Sequence, residues 1–250
     1  MKPLSLAPVL IALTAVAVAL EPTRVTEEFH QTYSLSPSGR VSLENVNGGV
    51  RIAVWDRSEI RVDAIKRAEA REQLENMRIE VDSQSESIHI RTRYQEDRRN
   101  GGSVEYTITA PRGASLEKIK LVNGAIEVEG VTGSVEASSV NGAVRARDLG
   151  GDAKLSTVNG GVEASFRSLA PARSVALNSV NGSLLLALPQ EAGAQLSAST
   201  VHGTISSDFD LATRRIGPVG ANVEAVLGAG GARIEMKNVN GNVRISRAQK

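Results

Sequence analysis

The stretch SVNGAVRARDLGGDAKLSTVNGGVEA, Ser139 to Ala164, carries Val-Asn-Gly twice, at Asn141 and Asn159. Asn-Gly between apolar runs is a strong signal for a two-residue hairpin. A hairpin at Asn141-Gly142 would pair Val140 with Ala143, Ser139 with Val144, and Val135 with Asp148. Directly opposed residues share a face, so this register sets apolar against polar. Stacking by eighteen residues does better. Val122, Val140 and Val158 form one column, Ile126, Val144 and Val162 a second, and Val128, Ala146 and Ala164 a third. A one-residue slip would invert every face, so the agreement favours a chain that coils, each turn parallel to the last and about 4.8 Å along the axis. Asn-Gly then marks a corner, where Asn tolerates and Gly freely adopts left-handed backbone.

The tripeptide recurs along the chain. Val-Asn-Gly occurs at Asn47, Asn123, Asn141, Asn159, Asn181 and Asn240, and Val201-His202-Gly203 puts His202 in the same slot. The spacings from Asn123 onward are 18, 18, 22, 21 and then 38, about two periods. A fixed period near twenty is the signature of a solenoid. The fold class is therefore all-β: a parallel β-helix or flattened β-roll of about 18–22 residues per coil. Asn47, Asn123, Asn141, Asn159, Asn181, His202 and Asn240 form a structural corner ladder whose stacked amides hydrogen-bond along the axis. The inward set within a coil is read as Val135, Ala137 and Val140, then Val144, Ala146 and Leu149. Outward, Glu127, Arg145 and Glu163 share a column, Glu129 stacks on Arg147, and Glu136 on Lys154. Alternating charges read as a solvated face.

A larger unit repeats as well. Pro37, Pro111 and Pro189 each end a strand, and Val41, Leu116 and Leu196 restart the inward pattern. Pro218 opens a degraded fourth copy. Between Trp55 and Pro111 the repeat is interrupted by further strands. EAREQLENMR, Glu69 to Arg78, reads as a short helix with Leu74 and Met77 inward, capping an open solenoid end. QEDRRNGGS, which contains Arg98 and Arg99, reads as a charged loop.

The first residues, MKPLSLAPVLIALTAVAVALEPTR, combine Lys2, an apolar run from Leu4 to Leu20 and small residues at Ala17 and Ala19. This reads as a secretory signal peptide. The domain reading is 1–20 leader, 21–110 N-terminal strands, short helix and cap, and 111–250 coils, the last two continuous. An extracytoplasmic location follows: periplasm, secreted or cell surface. The chain has no Cys, which excludes disulfides, thiol catalysis and thiolate metal sites. Lys and Arg number 29 against 28 Asp and Glu, so no field gathers nucleic acid or anionic lipid.

These features together resemble a family: the exported leader, the Trp-Asp strand end VWDRSEIRV, the strand ending at Pro111-Arg-Gly113 and the Asn-Gly coils. The chain resembles bacterial candidate adhesins of unknown function with single-stranded β-helix domains, from about Phe29 to the C-terminus. The resemblance implies a non-enzymatic extracytoplasmic protein built as a right-handed parallel β-helix or flattened β-roll. It supplies no catalytic residues.

Motifs for chemistry are lacking. No G-x-S-x-G, H-E-x-x-H or phosphate-binding Gly-Lys-Ser/Thr stretch occurs. Besides His202 there are only His30 and His89, so no metal set is expected, and no cofactor. The expected function is a non-catalytic scaffold or adhesin-like binding module of the bacterial envelope, its partner a protein or envelope component. One alternative is a polysaccharide-active, lyase-like β-helix, for which Trp55, Tyr94 and Tyr106 would be the stacking side chains. Another is a sensor domain of an envelope-stress system.

Overall fold

The computed structural model describes residues 24–94, 102–211, 214–216 and 220–248. The expected leader, the Arg98-Arg99 loop and Pro218 lie outside the described residues.

Alternating β-branched residues broken by Asn-Gly produce coils of two strands each. The regular coils are β8 (Ser115–Asn123) with β9 (Ile126–Glu129), β10 (Val135–Asn141) with β11 (Val144–Leu149), and β12 (Ala153–Asn159) with β13 (Val162–Phe166). They continue as β14 (Ser174–Asn181) with β15 (Leu184–Leu188), β16 (Ala194–His202) with β17 (Ile205–Ser207), and β20 (Ala232–Asn240) with β21 (Val243–Arg247). Before them come β1 (Val25–Ser34), β2 (Arg40–Asn47), β3 (Val50–Trp55), β4 (Glu59–Ala68), β5 (Met77–Gln84), β6 (Ser87–Tyr94) and β7 (Ser103–Pro111). Two more strands, β18 (Arg214–Ile216) and β19 (Gly220–Leu227), precede the last coil. The strands form two long sheets, ordered β1-β4-β7-β3-β9-β11-β13-β15-β21-β17 and β18-β19-β16-β20-β14-β12-β10-β8-β2-β6-β5. The result is an all-β, solenoid-like architecture.

Register follows the eighteen-residue step. Glu136 stands beside Lys154 and Leu155 beside Ala137, in parallel strands. Val144 lies between Ile126 and Val162, and all three are essentially inaccessible to solvent. Columns of Val, Ile, Leu and Ala from both sheets meet in one continuous apolar cluster that also takes in the N-terminal strands. Burial of such side chains, at about 25 cal/mol per Å² of apolar surface, is the main drive for stacking coil on coil.

One column departs from the expected inward set. Val122, Val140 and Val158 are exposed at 40%, 41% and 41%. The strand's period of two explains it. Val135, Ala137 and Ser139 point inward at successive even steps, so Val140 falls outside. The pairing passes from Ser139↔Thr157 straight to Asn141↔Asn159, leaving Val140 and Val158 unpaired at the bend. Leu149, also three residues beyond an inward position, is buried. There Asp148 takes a left-handed backbone (φ 56°) that resets the alternation.

The order of coils also departs from expectation. Asn240 does not lie beyond His202. β20 pairs in parallel with β14 on one side and β16 on the other, and β21 likewise sits between β15 and β17. The C-terminal coil is therefore inserted between two coils that precede it. β19 runs antiparallel along the far side of β16, which obliges the chain to return through the turn at 228–231 into the vacant position. The 38-residue gap read as two periods is an excursion followed by a return.

At the other end β2 stacks on β8 and β3 on β9, in line with the coils. β5 and β6 form an antiparallel hairpin on one sheet; β4 lies antiparallel between β1 and β7 on the other. Between β4 and β5 sits a five-residue helix, α1 (Arg71–Glu75), within the expected span 69–78. Gln73 Oε1 accepts from the Glu69 and Ala70 amides at 3.0 and 3.3 Å, and Leu74 and Met77 are buried.

The inserted coil makes a distinctive prediction. A chain ending after Gly231 loses the shared neighbour of β14 and β16, so amides in both strands that bond to β20 should exchange about a hundredfold faster or more. Native-state hydrogen exchange of the shortened chain checks this. Unchanged protection in both strands would contradict the inserted order.

Candidate functional site

The corner residues of the sequence repeat are brought into one row. Each Asn Nδ2 donates to the Oδ1 of its neighbour: Asn123 to Asn47 at 2.9 Å, Asn141 to Asn123 at 2.8 Å, Asn159 to Asn141 at 2.8 Å, Asn181 to Asn159 at 2.9 Å and Asn240 to Asn181 at 2.9 Å. His202 stands beside Asn240 at the end of the row. None of the row's asparagines has a positive φ, so left-handed backbone is not what selects Asn there. The amide, which both donates and accepts along one axis, is the property used.

Gly follows Asn for a reason of space. A Cβ placed on Gly142 would lie 2.0 Å from the Gly124 carbonyl oxygen, and one on Gly182 would lie 1.9 Å from that of Gly160. Backbones at the corner pass too close for any side chain.

A second ladder escaped the sequence reading. Ser139 Oγ donates to Gly124 O at 2.9 Å, Thr157 Oγ1 to Gly142 O at 2.8 Å and Ser179 Oγ to Gly160 O at 2.9 Å. Asn238 Nδ2 does the same for Gly182 O, and Thr200 Oγ1 for Gly241 O, both at 2.9 Å. The bend that skips Val140 leaves each corner glycine carbonyl without a ladder partner, and a buried unpaired carbonyl is costly. A hydroxyl or amide two residues before the corner Asn supplies one. The signal was present as Ser, Thr or Asn at that position in most repeats.

Above this ladder the bend is concave and opens into a groove of about 860 Å³ running along the axis. One wall is the exposed valine row: Val46, Val122, Val140, Val158, Val180 and Val239. The floor holds the buried Ser139, Thr157, Ser179 and Asn238, and Asn238 Oδ1 is buried with no hydrogen-bond partner. The opposite wall carries Ser138, Ser156 and Asn178 at its centre, with Lys120 on one side and Lys237 on the other. Toward one end lies Glu44, bound by Arg91 Nε at 3.1 Å, and Arg91, Thr92 and Arg93 of β6 close that end.

Outward charges pair along the axis on both sheets. On the sheet opposite the groove Arg51 and Arg145 flank Glu127 at 3.0 and 3.7 Å, and on the groove's own sheet Lys154 meets Glu136 at 3.0 Å. Arg147, in register with Glu129, reaches diagonally to Glu163 at 2.9 Å instead. Near the N-terminus His30 bonds Asp63 at 2.7 Å and Glu28 at 3.1 Å. These bonds raise its imidazole above the ordinary value. Burial opposes ionisation of Asp63, but the bonds from His30 and Arg61 prevail and lower it. Among the described residues no group of three such side chains is arranged to hold a metal. Of the three aromatic side chains considered for stacking, Tyr106 is buried against Thr92 at 2.7 Å, and burial pushes its phenol well above the ordinary value. The Tyr94 hydroxyl bonds the Asn47 amide, and Arg57 lies over the Trp55 ring at 5.0 Å. None of the three belongs to the groove.

Two stacked sheets turned by Asn-Gly corners define a solenoid-like all-β class. Residues 36–246 match the family described as Toastrack DUF4097, and the chain belongs to that family. No curated protein matches it. Solved structures similar to it include a candidate cell-adhesion protein from Clostridium sporogenes, 12% identical, with 89% of this chain and 100% of that one covered at a TM-score of 0.47. A candidate adhesin from Parabacteroides merdae is 8% identical, with 89% and 97% covered at 0.39. Another, from Bacteroides fragilis, is 12% identical, with 88% and 97% covered at 0.33. Among the described residues no helix is long and apolar enough to cross a membrane.

The corner geometry ranks two substitutions. Asn141→Ala breaks two exposed side-chain hydrogen bonds and should cost about 1 kcal/mol. Gly142→Ala forces adjacent coils apart and should cost more, up to about 3 kcal/mol, the range of overpacked cores. Urea denaturation of both variants checks the order; equal midpoints would contradict it.

Proposed function

We propose that this chain is a non-catalytic, extracytoplasmic binding module of the cell envelope, adhesin-like or scaffolding in role. We read its coils as a flattened parallel β-helix in which α1 belongs to the cap of the N-terminal end. The observation that carries the function is the valine row beside the axial groove. Exposed apolar side chains scattered singly need no explanation, but a contiguous apolar strip with a polar rim marks an interaction surface. Here six valines recur at one rung each, at a position that the core does not use.

The same groove is poorly equipped for catalysis. General acid–base chemistry wants a titratable group free to exchange a proton with substrate. Glu44, the carboxylate of the groove, is engaged by Arg91, and the central wall is Ser138, Ser156 and Asn178, with no His, Asp or Glu among them and only the lysines Lys120 and Lys237 at its two sides. The near balance of charge, 29 cations to 28 anions, supports a partner other than nucleic acid. The leader-like N-terminal residues support export.

Co-sedimentation with bacterial envelope preparations tests the reading. The chain lacking residues 1–20 should pellet with envelopes, and the double variant Val140→Asp with Val158→Asp should stay in the supernatant while keeping the melting temperature of the parent. An unaltered chain that remains soluble, or a double variant that pellets equally, would refute a binding role for this face. Release of unsaturated sugar products from uronic-acid polymers would refute the non-catalytic part.

A further inference from the structure

We infer that the groove binds a linear acidic polysaccharide laid along the solenoid axis, about one sugar per coil. This rests on the reading of the valine-lined groove as a binding face.

Three observations point to such an occupant. The first is repeat length. The groove presents the same pair of walls once per strand spacing, about 4.8 Å. A six-membered sugar ring with its bridging oxygen advances about 5 Å at ordinary single-bond lengths. A β-1,4-linked chain turns successive sugars over, so one face returns every two sugars at about 10 Å, close to two rungs, whereas an extended peptide repeats its face every two residues at about 6.8 Å and falls out of step with the rungs within a few residues. From the Arg91 rung to the Lys237 rung the groove crosses seven strands, β6, β2, β8, β10, β12, β14 and β20, a length of about 29 Å. That accommodates about six sugars at the ring length given above.

The second is the character of the walls. Every strand under the groove is paired on both sides, so backbone hydrogen bonding by strand addition has no free edge there. What remains is a methyl-rich wall of valines facing a wall of hydroxyls and an amide at Ser138, Ser156 and Asn178. A pyranose has the matching division: C–H groups on its faces and hydroxyls around its rim. Ser138 and Ser156 are adjacent rungs of one column, as are Ser156 and Asn178, so each successive sugar meets a donor and acceptor.

The third is charge. The lining holds Arg91, Arg93, Lys120 and Lys237 against the single carboxylate of Glu44, in a chain that is otherwise balanced. Arg93 is shared with Glu80 at 3.1 Å, and Lys237 is paired with Glu235 on its own strand. Lys120 stands between Glu44 and Ser138 in the column, and with Glu44 held by Arg91 it makes no ion pair among the described residues. Lys120 and Lys237 bracket the neutral centre, four rungs apart. An anionic chain places carboxylates opposite both.

Calorimetric titration of the chain lacking residues 1–20 with β-1,4-linked mannuronate oligomers of two to eight sugars tests this. Affinity should rise with length and level off near five or six sugars. The neutral β-1,4-mannose hexamer, which differs only in its carboxylates, should bind about tenfold more weakly, and Lys120→Glu and Lys237→Glu should each weaken the acidic hexamer by about fivefold or more. Val158→Asp, at an exposed position, should abolish binding without lowering the melting temperature. Absence of binding, affinity independent of length, equal binding of the neutral hexamer, or equal binding of a glutamate hexapeptide would each overturn the inference. If envelope co-sedimentation persists and still depends on Val140 and Val158 while the oligomers fail, the face binds something else and only the glycan assignment falls. If both fail, the binding reading falls with it.

Discussion

Everything in this molecule depends on the distance between one backbone and the next at the corner. Strands in a sheet stand about 4.8 Å apart, which leaves no room for a side chain between successive corners. The carbonyl of Gly124 lies where a Cβ on Gly142 would be. Glycine is thus required by contact between coils, and it appears at the same place in each. Close approach creates a second demand, because the bend interrupts the backbone ladder. The hydroxyls of Ser139, Thr157 and Ser179 answer it from inside, and the asparagine amides tie the coils from outside. Three consecutive constraints, a buried donor, an outward residue and an Asn-Gly corner, explain why the repeat reads Ser/Thr-Val-Asn-Gly.

The exposed valine face is a by-product of the same bend. A residue between the inward donor and the corner Asn must point outward, and it lies at the rim of a concavity. Nothing in the core asks for valine there, yet valine occupies it at Val46, Val122, Val140, Val158, Val180 and Val239. Stacked methyl groups at one strand spacing make a continuous apolar strip. A solenoid converts a single choice in its repeat into a line of identical choices, which suits it to elongated ligands.

Much of this was legible in the residues. Columns eighteen apart fixed the parallel stack, because Val144 could meet Ile126 and Val162 but not Ser139. Glu136 and Lys154 were legible as neighbours for the same reason. The valine row was misplaced because Val140 lies three residues from Ala137, an odd step that strand periodicity sends outward. The same odd step before Leu149 goes inward only because Asp148 adopts a left-handed backbone, which no local pattern announces. The interior hydroxyl ladder went unread because Ser and Thr in a strand look like surface residues until the bend strands a carbonyl beside them. The place of the last coil was beyond local reading. Asn240 and His202 carry the same corner pattern, and only β19, folding back antiparallel along β16, leaves the position between Asn181 and His202 for the chain to fill.

Insertion of that coil is the most exacting consequence of the stacking rule, since it lets a position be filled out of sequence as long as the corners align. The chain has no cysteine, so engineered pairs report cleanly. Residues in register on neighbouring strands fall within the span of about 4.4–6.8 Å that a disulfide bridges between Cα atoms. Oxidation of the variant carrying Asn181→Cys with Asn240→Cys should close an intramolecular disulfide, visible as one peptide pair by mass spectrometry. The variant carrying Asn181→Cys with His202→Cys should remain reduced, because a whole coil lies between. A bond in the second variant and none in the first would contradict the account.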